Sequence, residues 1–79
     1  MAQIPYYDSR GSFTVEVDLN YECDVFLVDS LNLQKYQSGQ SFNYYGGHYN
    51  QTPVTISVNK PGRWYLIVVG GGQYKYRFY

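Results

Sequence analysis

The stretch FTVEVDL, at residues 13–19, decides the class of the fold. Apolar residues occupy every second position, and polar residues, two of them acidic, lie between them. This period of two is typical of a β-strand that has one buried face and one face in water. The same alternation returns in VTISV at residues 54–58 and in YKYRF at residues 74–78. We therefore predict an all-β or mainly β fold.

Two apolar runs add further strands. Residues 23–28 are apolar at both parities except for Asp24, as in a central strand that is covered on both faces. Residues 64–69 form the most apolar strand of the chain. The KPGR sequence at residues 60–63 is a turn signal, because proline presets its own dihedral and glycine accepts a positive one. We predict a hairpin between residues 54–58 and the strand after this turn.

One short helix is predicted among the strands. Asp29 and Ser30 can accept hydrogen bonds from the free amides of a helix start, and Gly39 can take the left-handed conformation that closes a helix. These signals place a helix or helical turn near residues 30–38, although a twisted loop fits the same residues. Residues 1–10 have no clear period and are predicted as a lead-in or edge segment.

The remaining segments complete a small single domain. Residues 42–49 are aromatic and interrupted by two glycines, which predicts two short strands joined at a bulge or tight turn. Residues 70–72 are three glycines, predicted as a flexible connection. The sum is about six strands with at most one helix, which indicates a small sandwich or barrel spanning residues 1–79.

Length and composition limit the ways in which such a domain can be stabilised. A chain of 79 residues has a thin core, and its lone cysteine, Cys23, excludes an intrachain disulfide. Oligomerisation is then the remaining candidate support. The single thiol and the lack of a charged and apolar leader favour a reducing cytoplasm. No apolar run approaches membrane-spanning length, so we expect no membrane partner.

Charge is balanced overall but divided along the chain. The formal net charge of zero argues against general nucleic-acid binding, which needs a basic surplus. All six acidic residues lie in the first 29 residues, whereas five of the six basic residues follow them. We predict that the first and last strands pair within one chain, with head-to-tail contact between subunits as the alternative.

Several short motifs carry a resemblance to a known family. They are Cys23-Asp24-Val25 with Leu27 and Asp29, Asn32 and Tyr36 before Gly39, Tyr45-Gly46-Gly47-His48-Tyr49, Pro61-Gly62 with Trp64, and Gly70-Gly71-Gly72. From about Cys23 to the C-terminus, the sequence resembles the domain of unknown function 1883 family of small bacterial domains. The resemblance implies a β-rich domain without chemistry to transfer. Some longer members look immune-related through a Toll/interleukin-receptor-like domain, which implies an accessory or sensory module in bacterial defence or signalling.

A run of aromatic and glycine residues is the first candidate site. The chain holds eleven tyrosines, and tyrosine suits strands, interfaces and surfaces on which sugars or bases stack. The predicted ligand or interface residues are Tyr44, Tyr45, Gly46, Gly47, His48 and Tyr49. Glycine here can also serve only to bend a twisted strand. Trp64 is interpreted as a core residue.

The only histidine, His48, raises the question of catalysis. A small hydrolase or transferase that uses His48 with Asp24 or Asp29 is one hypothesis, and it needs a carboxylate within hydrogen-bond reach in a concave pocket. A metal site or a Cys23–His48 nucleophilic pair would need side chains to converge by folding alone, so no metal and no cofactor are predicted. The simpler interpretation is that His48 makes local hydrogen bonds.

The C-terminal strand is the second candidate site. Tyr74, Lys75, Tyr76 and Arg77 combine aromatic and cationic faces, and at a sheet edge they could pair with another chain. Internal pairing with residues 13–19 is the alternative.

We therefore expect a non-enzymatic binding or self-assembly domain without a cofactor. Its partner is expected to be a second copy of the chain, a small molecule, a sugar or a protein. A purely structural subunit is the remaining alternative.

Overall fold

The computed structural model describes residues 4–70 and 74–79. Within them the chain forms seven strands and one helix. In chain order the elements are β1 (Tyr6–Ser9), β2 (Phe13–Leu19), β3 (Cys23–Asp29), α1 (Ser30–Gln37), β4 (Tyr45–Tyr49), β5 (Val54–Val58), β6 (Gly62–Val69) and β7 (Tyr74–Phe78). The predicted mainly β class with one short helix is confirmed, and the lead-in segment supplies the additional strand β1.

The strands form two antiparallel sheets that pack face to face as a sandwich. One sheet has four strands in the order β1-β6-β3-β4, and the other has three in the order β5-β2-β7. Every pair of neighbouring strands is antiparallel. The second strand of the sequence lies at the centre of the smaller sheet, and β3 lies inside the larger one, as its apolar character predicts.

Alternation places the core between the sheets. Val15 and Val17 of β2 and Val25 and Leu27 of β3 are fully buried, whereas the residues between them are partly or fully exposed. Burial of such side chains is the main favourable contribution to folding. The core cluster consists of Phe13, Val15, Val17, Leu19, Cys23, Val25, Leu27, Val54, Ile56, Val58, Trp64 and Leu66.

A second layer covers the outer face of the larger sheet. Helix α1 begins after Asp29, whose carboxylate accepts a hydrogen bond from the amide nitrogen of Asn32, and Gly39 follows its end with a φ of 77°. The helix packs on β3 and β6. Val28 and Ile67 point away from the central core and are nevertheless buried. This outer layer explains why β3 and β6 are apolar at both parities.

The acidic and basic halves of the chain meet where β2 pairs with β7. Glu16 lies opposite Arg77, and Asp18 lies opposite Lys75. The Arg77 Nε atom is 3.2 Å from Glu16 Oε1. The predicted pairing of the first regular strand with the last one within a single chain is therefore confirmed.

The predicted hairpin across residues 60–63 is wrong. β5 pairs with β2 in the smaller sheet, whereas β6 pairs with β1 and β3 in the larger one. The turn therefore carries the chain from one sheet to the other. Proline and glycine specify a change of direction, not the sheet that the next strand enters. β6 needs cover on both faces, and the interior of the larger sheet provides it.

The aromatic segment at residues 42–49 holds one strand, β4, instead of the two that the sequence predicts. Residues 42–44 lie before it without regular structure. Its aromatic side chains pack locally on the outer layer, so this part of the chain needs no strand partner. Of the predicted glycine connection, Gly70 is described, with a φ of 151°, and Gly71 and Gly72 lie outside the described residues.

Candidate functional site

Strand alternation divides the predicted aromatic site between the two faces of β4. Tyr45 and Tyr49 lie on the inner side, where Tyr45 meets Trp64 and Tyr49 packs against the core. His48 lies on the outer side, opposite Asp24 of β3. The candidate residues at positions 44–49 therefore do not form one continuous surface.

Gly46 and Gly47 differ in what their positions demand. Gly46 has a φ of 135°, and a Cβ there would collide with the carbonyl oxygen of Val25. Gly47 has open space where a Cβ would stand. The strand itself therefore requires a glycine at position 46, because the backbone there lies too close to β3 for a side chain.

Trp64 lies at one end of the sandwich beneath two adjoining clefts. Its indole ring meets the ring of Tyr45 edge to face, with centroids 5.6 Å apart and planes at 69°. The Lys60 Nζ atom lies 5.8 Å from the centroid of the Tyr45 ring. Aromatic and cation–π contacts of this kind favour a defined arrangement of the three side chains.

The first cleft, here the asparagine cleft, has a volume of about 390 Å³ and is lined by Asp29, Asn32, Asn43, Tyr44, Tyr45, Lys60 and Trp64. The second, here the helix cleft, has a volume of about 350 Å³ and is lined by Asp29, Ser30, Leu31, Lys60, Pro61, Gly62, Arg63 and Trp64. Because they share Asp29, Lys60 and Trp64, we treat them together as the paired clefts. They combine aromatic faces with a few polar groups, as small-molecule sites do.

The indole nitrogen of Trp64 is a buried polar atom without a partner. The side chain is only 6% exposed, and Nε1 has no hydrogen-bond partner within the described residues. The indole N–H can only donate a hydrogen bond. A buried donor that is left unpaired costs about 1–3 kcal/mol, so native proteins rarely keep one.

A hydrogen-bonded network forms one wall of the asparagine cleft. Asp29 Oδ1 accepts hydrogen bonds from the amide nitrogen of Asn32 at 2.9 Å and from its Nδ2 at 2.8 Å. Asn32 Oδ1 in turn accepts a hydrogen bond from the amide nitrogen of Asn43 at 2.9 Å. The network fixes the irregular segment before β4 to the start of α1. It thereby sets the position from which Tyr44 and Tyr45 enter the cleft.

Tyr44 joins this cleft to an aromatic cluster on the outer layer. Its ring lies 4.6 Å from that of Phe26 and 5.4 Å from that of Phe42, measured between centroids. Tyr36 of α1 extends the cluster through Phe42. Tyr44 is 48% exposed, so one part of its surface packs and another part remains open to a ligand.

His48 is held between two carboxylates. Its Nδ1 is 2.8 Å from Asp24 Oδ1, and its Nε2 is 3.2 Å from Glu22 Oε2. The hydrogen bond to Asp24, followed by that to Glu22, raises the pKa of His48 above its usual range. When the ring is protonated it donates both bonds, and in that form neither nitrogen has a lone pair with which to accept a proton.

Cys23 and His48 cannot form a nucleophilic pair in this arrangement. Cys23 is buried on the inner face of β3, and its Sγ donates a hydrogen bond to the carbonyl oxygen of Tyr21 at 3.3 Å. His48 projects from the outer face of β4. In residues 4–70 and 74–79, no group of three or more His, Cys, Asp or Glu side chains is arranged to hold a metal ion.

The second candidate site, on β7, lies at an edge of the three-stranded sheet. Tyr76 is 45% exposed although it lies on the same face as the core-packing Phe78. Lys75 and Arg77 face the acidic residues of β2. One side of β7 therefore pairs with β2, as the internal-pairing alternative predicts, and its other side is an edge of the sheet. Pairing of that edge with another chain stays a prediction.

Sequence reasoning missed most of the residues that line the paired clefts. Tyr44 and Tyr45 are predicted site residues, but the sequence predicts Lys60 only as part of a turn and Trp64 only as a core residue. Asn32 and Asn43 carry no signal in the sequence beyond the presence of Asn32 in the family motif. These residues come from five separate segments, and only the fold brings them together.

Comparison with known proteins supports the resemblance of the sequence to one family. A family model described as Domain of unknown function (DUF1883) matches residues 7–76, which is nearly the whole chain. The match therefore also includes β2 and most of β1. Neither the curated proteins nor the solved structures yielded a match. Over the described part of the chain, no helix is long and apolar enough to cross a membrane.

Proposed function

We propose that this chain, which belongs to the family described as Domain of unknown function (DUF1883), is a non-enzymatic binding domain that holds a small ligand in the paired clefts. The observation that carries the proposal is the buried Nε1 of Trp64, which has no partner among the described residues. A hydrogen-bond acceptor on a ligand supplies that partner. The face of Tyr45 and the asparagine network supply the stacking surface and the polar wall.

Lys60 controls access to this site. Nε1 is covered in the structure, so an acceptor reaches it only after a neighbouring side chain has shifted. Lys60 is exposed, lies against the ring of Tyr45 and is shared by both clefts. A lysine side chain on an exposed turn changes rotamer readily. We therefore expect Lys60 to move when a ligand enters.

The catalytic hypothesis has less support. It requires a histidine that exchanges protons with a substrate, whereas both ring nitrogens of His48 are bonded to carboxylates. The side chain is 60% exposed, so its surroundings offer little exclusion of water. Binding without catalysis fits these contacts better.

Self-assembly through β7 is a second candidate function. The specific observation in its favour is Tyr76, which is 45% exposed on an edge strand. An antiparallel copy of β7 centred on Tyr76 would cover this ring and extend the three-stranded sheet. The same copy would place Lys75 opposite Arg77, and like charges in that position weaken the pairing.

A biological setting is a further part of the proposal, and it rests on what the family resemblance implies. We propose that the domain acts in the bacterial cytoplasm as an accessory or sensory module of a defence or signalling system. Its single cysteine, Cys23, excludes an intrachain disulfide, which agrees with a reducing compartment.

The ligand site is tested by the emission of the only tryptophan. Trp64 lies beneath the paired clefts, so its fluorescence is expected to change when sugars, nucleotides or short peptides that bind there are titrated. Tyr45→Ala removes the stacking face and is expected to weaken binding at least about tenfold, a change of about 1.4 kcal/mol. Tyr21→Ala, at a tyrosine that is 65% exposed and outside the clefts, is the matched control. An unchanged emission across the whole panel would contradict the proposed function.

A further inference from the structure

We infer, on the premise of the proposed binding function, that the ligand presents a carboxylate or phosphate oxyanion between Lys60 and Trp64. The paired clefts offer several hydrogen-bond donors that lack a partner among the described residues. Their one carboxylate, that of Asp29, is already engaged by the protein. A site with this balance of donors and acceptors favours a ligand group that only accepts.

Trp64 provides the first of these donors. Only 6% of the surface of Trp64 is exposed, and its Nε1 has no partner within the described residues. An indole N–H cannot accept a hydrogen bond, so the ligand atom that pairs with it must carry a lone pair. An anionic oxygen forms a shorter and stronger bond with such a donor than a neutral oxygen does.

Lys60 provides the positive charge. Arg63 and Arg77 have carboxylate partners, with the Arg63 Nε atom 2.8 Å from Asp8 Oδ1 and the Arg77 Nε atom 3.2 Å from Glu16 Oε1. No carboxylate of the described residues lies within ion-pairing distance of Lys60 Nζ, which lies 5.8 Å from the centroid of the Tyr45 ring. A lysine held over an aromatic face beside a cleft is available to an incoming anion.

The start of α1 provides the third group of donors. Ser30 and Leu31 line the helix cleft and occupy the first two positions of the helix. Their amides have no acceptor within the helix, because the first amides of any helix lack one. The helix dipole adds partial positive charge at this end. Asp29 caps the third amide through Oδ1, and the helix start thereby offsets its negative charge.

Three matched sugars test the inference by calorimetric titration of the full chain. Glucose, glucuronate and glucose 6-phosphate share a ring and differ in the group at one carbon, which is neutral, a carboxylate or a phosphate. We expect at least one of the two anionic sugars to bind about tenfold tighter than glucose at low salt. The advantage should shrink as added salt screens the charges. Inorganic phosphate alone should compete with the anionic sugar that binds.

Two variants locate the anion. Lys60→Met keeps most of the length of the side chain, removes its charge and should abolish the advantage of the anionic sugar. Lys35→Met, in the last turn of α1, makes the same charge change away from the clefts and should leave it intact. Trp64→Phe, which keeps a buried ring, should weaken binding of the anionic sugar more than that of glucose, and a melting curve checks that it folds.

The outcomes separate the inference from its premise. A preference for glucuronate indicates a carboxylate ligand, and a preference for glucose 6-phosphate indicates a phosphate ligand. Equal binding of all three sugars would overturn the oxyanion inference and leave the cleft as a ligand site. An anion preference that survives in Lys60→Met would place the anion elsewhere and also overturn it. If none of the three sugars and not even phosphate binds at millimolar concentration, the inference is wrong, while the wider panel still decides the proposed function.

Discussion

At the scale of single residues, His48 gives the clearest electrostatic prediction. Its pKa is raised by the hydrogen bonds to Asp24 and Glu22. A folded-state pKa above the unfolded value of 6.5 means that the contribution to stability is fully present below that pH. The contribution is lost as the pH rises through the higher folded value. The destabilisation caused by His48→Gln should therefore be larger near pH 6 than near pH 9.

Urea unfolding of the two proteins over this pH range measures the effect. The control is the Glu22→Gln, Asp24→Asn double variant, which keeps the side-chain shapes but removes both carboxylates, and in which His48→Gln should lose most of its pH dependence. The bridge is exposed, so we expect the difference to be modest and to decrease with salt. A destabilisation that grows with pH would contradict this account of His48.

Trp64 shows how much a residue's sequence context can reveal. The interpretation of Trp64 as a core residue agrees with its burial, and it rested on the position of Trp64 in the most apolar run of the chain. The unpartnered Nε1 could not be predicted, since a missing hydrogen-bond partner depends on every residue that surrounds the ring. Tyr44 and Tyr45 could be proposed as site residues because exposed aromatic residues are over-represented in binding surfaces.

At the scale of elements, β4 gives a prediction from its two glycines. Gly46→Ala should reduce the free energy of unfolding by about 1–3 kcal/mol, because its φ of 135° disfavours a side chain and the Cβ would meet the Val25 carbonyl. Gly47→Ala should change the same quantity by less than about 0.5 kcal/mol, since open space surrounds the position. Denaturant unfolding of both variants provides the comparison. Equal effects at the two positions would contradict the described pairing of β3 with β4.

The hydrophobic period and the residues of turns and helix caps were sufficient to predict most elements of the fold. The alternation at residues 13–19 and 54–58 predicted β2 and β5, and the cap at Asp29 predicted α1. The hairpin at residues 60–63 failed because the local signal for a turn is the same within a sheet and between sheets. The second strand predicted in residues 42–49 failed because aromatic residues suit packing on a sheet as well as pairing in one.

At the scale of the whole molecule, assembly through β7 can be decided by mass. Light scattering behind size-exclusion chromatography should show a multiple of the chain mass if β7 pairs with a copy. Tyr76→Ala should then reduce the mass to that of one chain, whereas Tyr45→Ala, on β4 of the other sheet, should not. The opposition of Lys75 and Arg77 predicts that salt favours the assembly. A single-chain mass for the unaltered protein at low and high salt would contradict this second function.

At the scale of the whole molecule, the division of charge along the chain allowed a correct prediction from the sequence. It predicted the contact between β2 and β7, because opposite charges on two alternating strands fit one register. The paired clefts could not be predicted in the same way. Their residues come from β3, α1, the segment before β4, β4 itself, the turn before β6 and β6. The failed hairpin had assigned that turn to the wrong sheet.

The most direct test of the ligand site is the ¹H–¹⁵N spectrum of the labelled chain, in which the only tryptophan gives a single indole signal. It should be recorded with the ligand that changes the Trp64 emission most strongly. We predict that the largest shifts are those of the Trp64 indole N–H and of the amides of Leu31 and Tyr45. Largest shifts on β7, or around His48 and Glu22, with an unmoved indole signal would contradict the claim that the paired clefts bind the ligand.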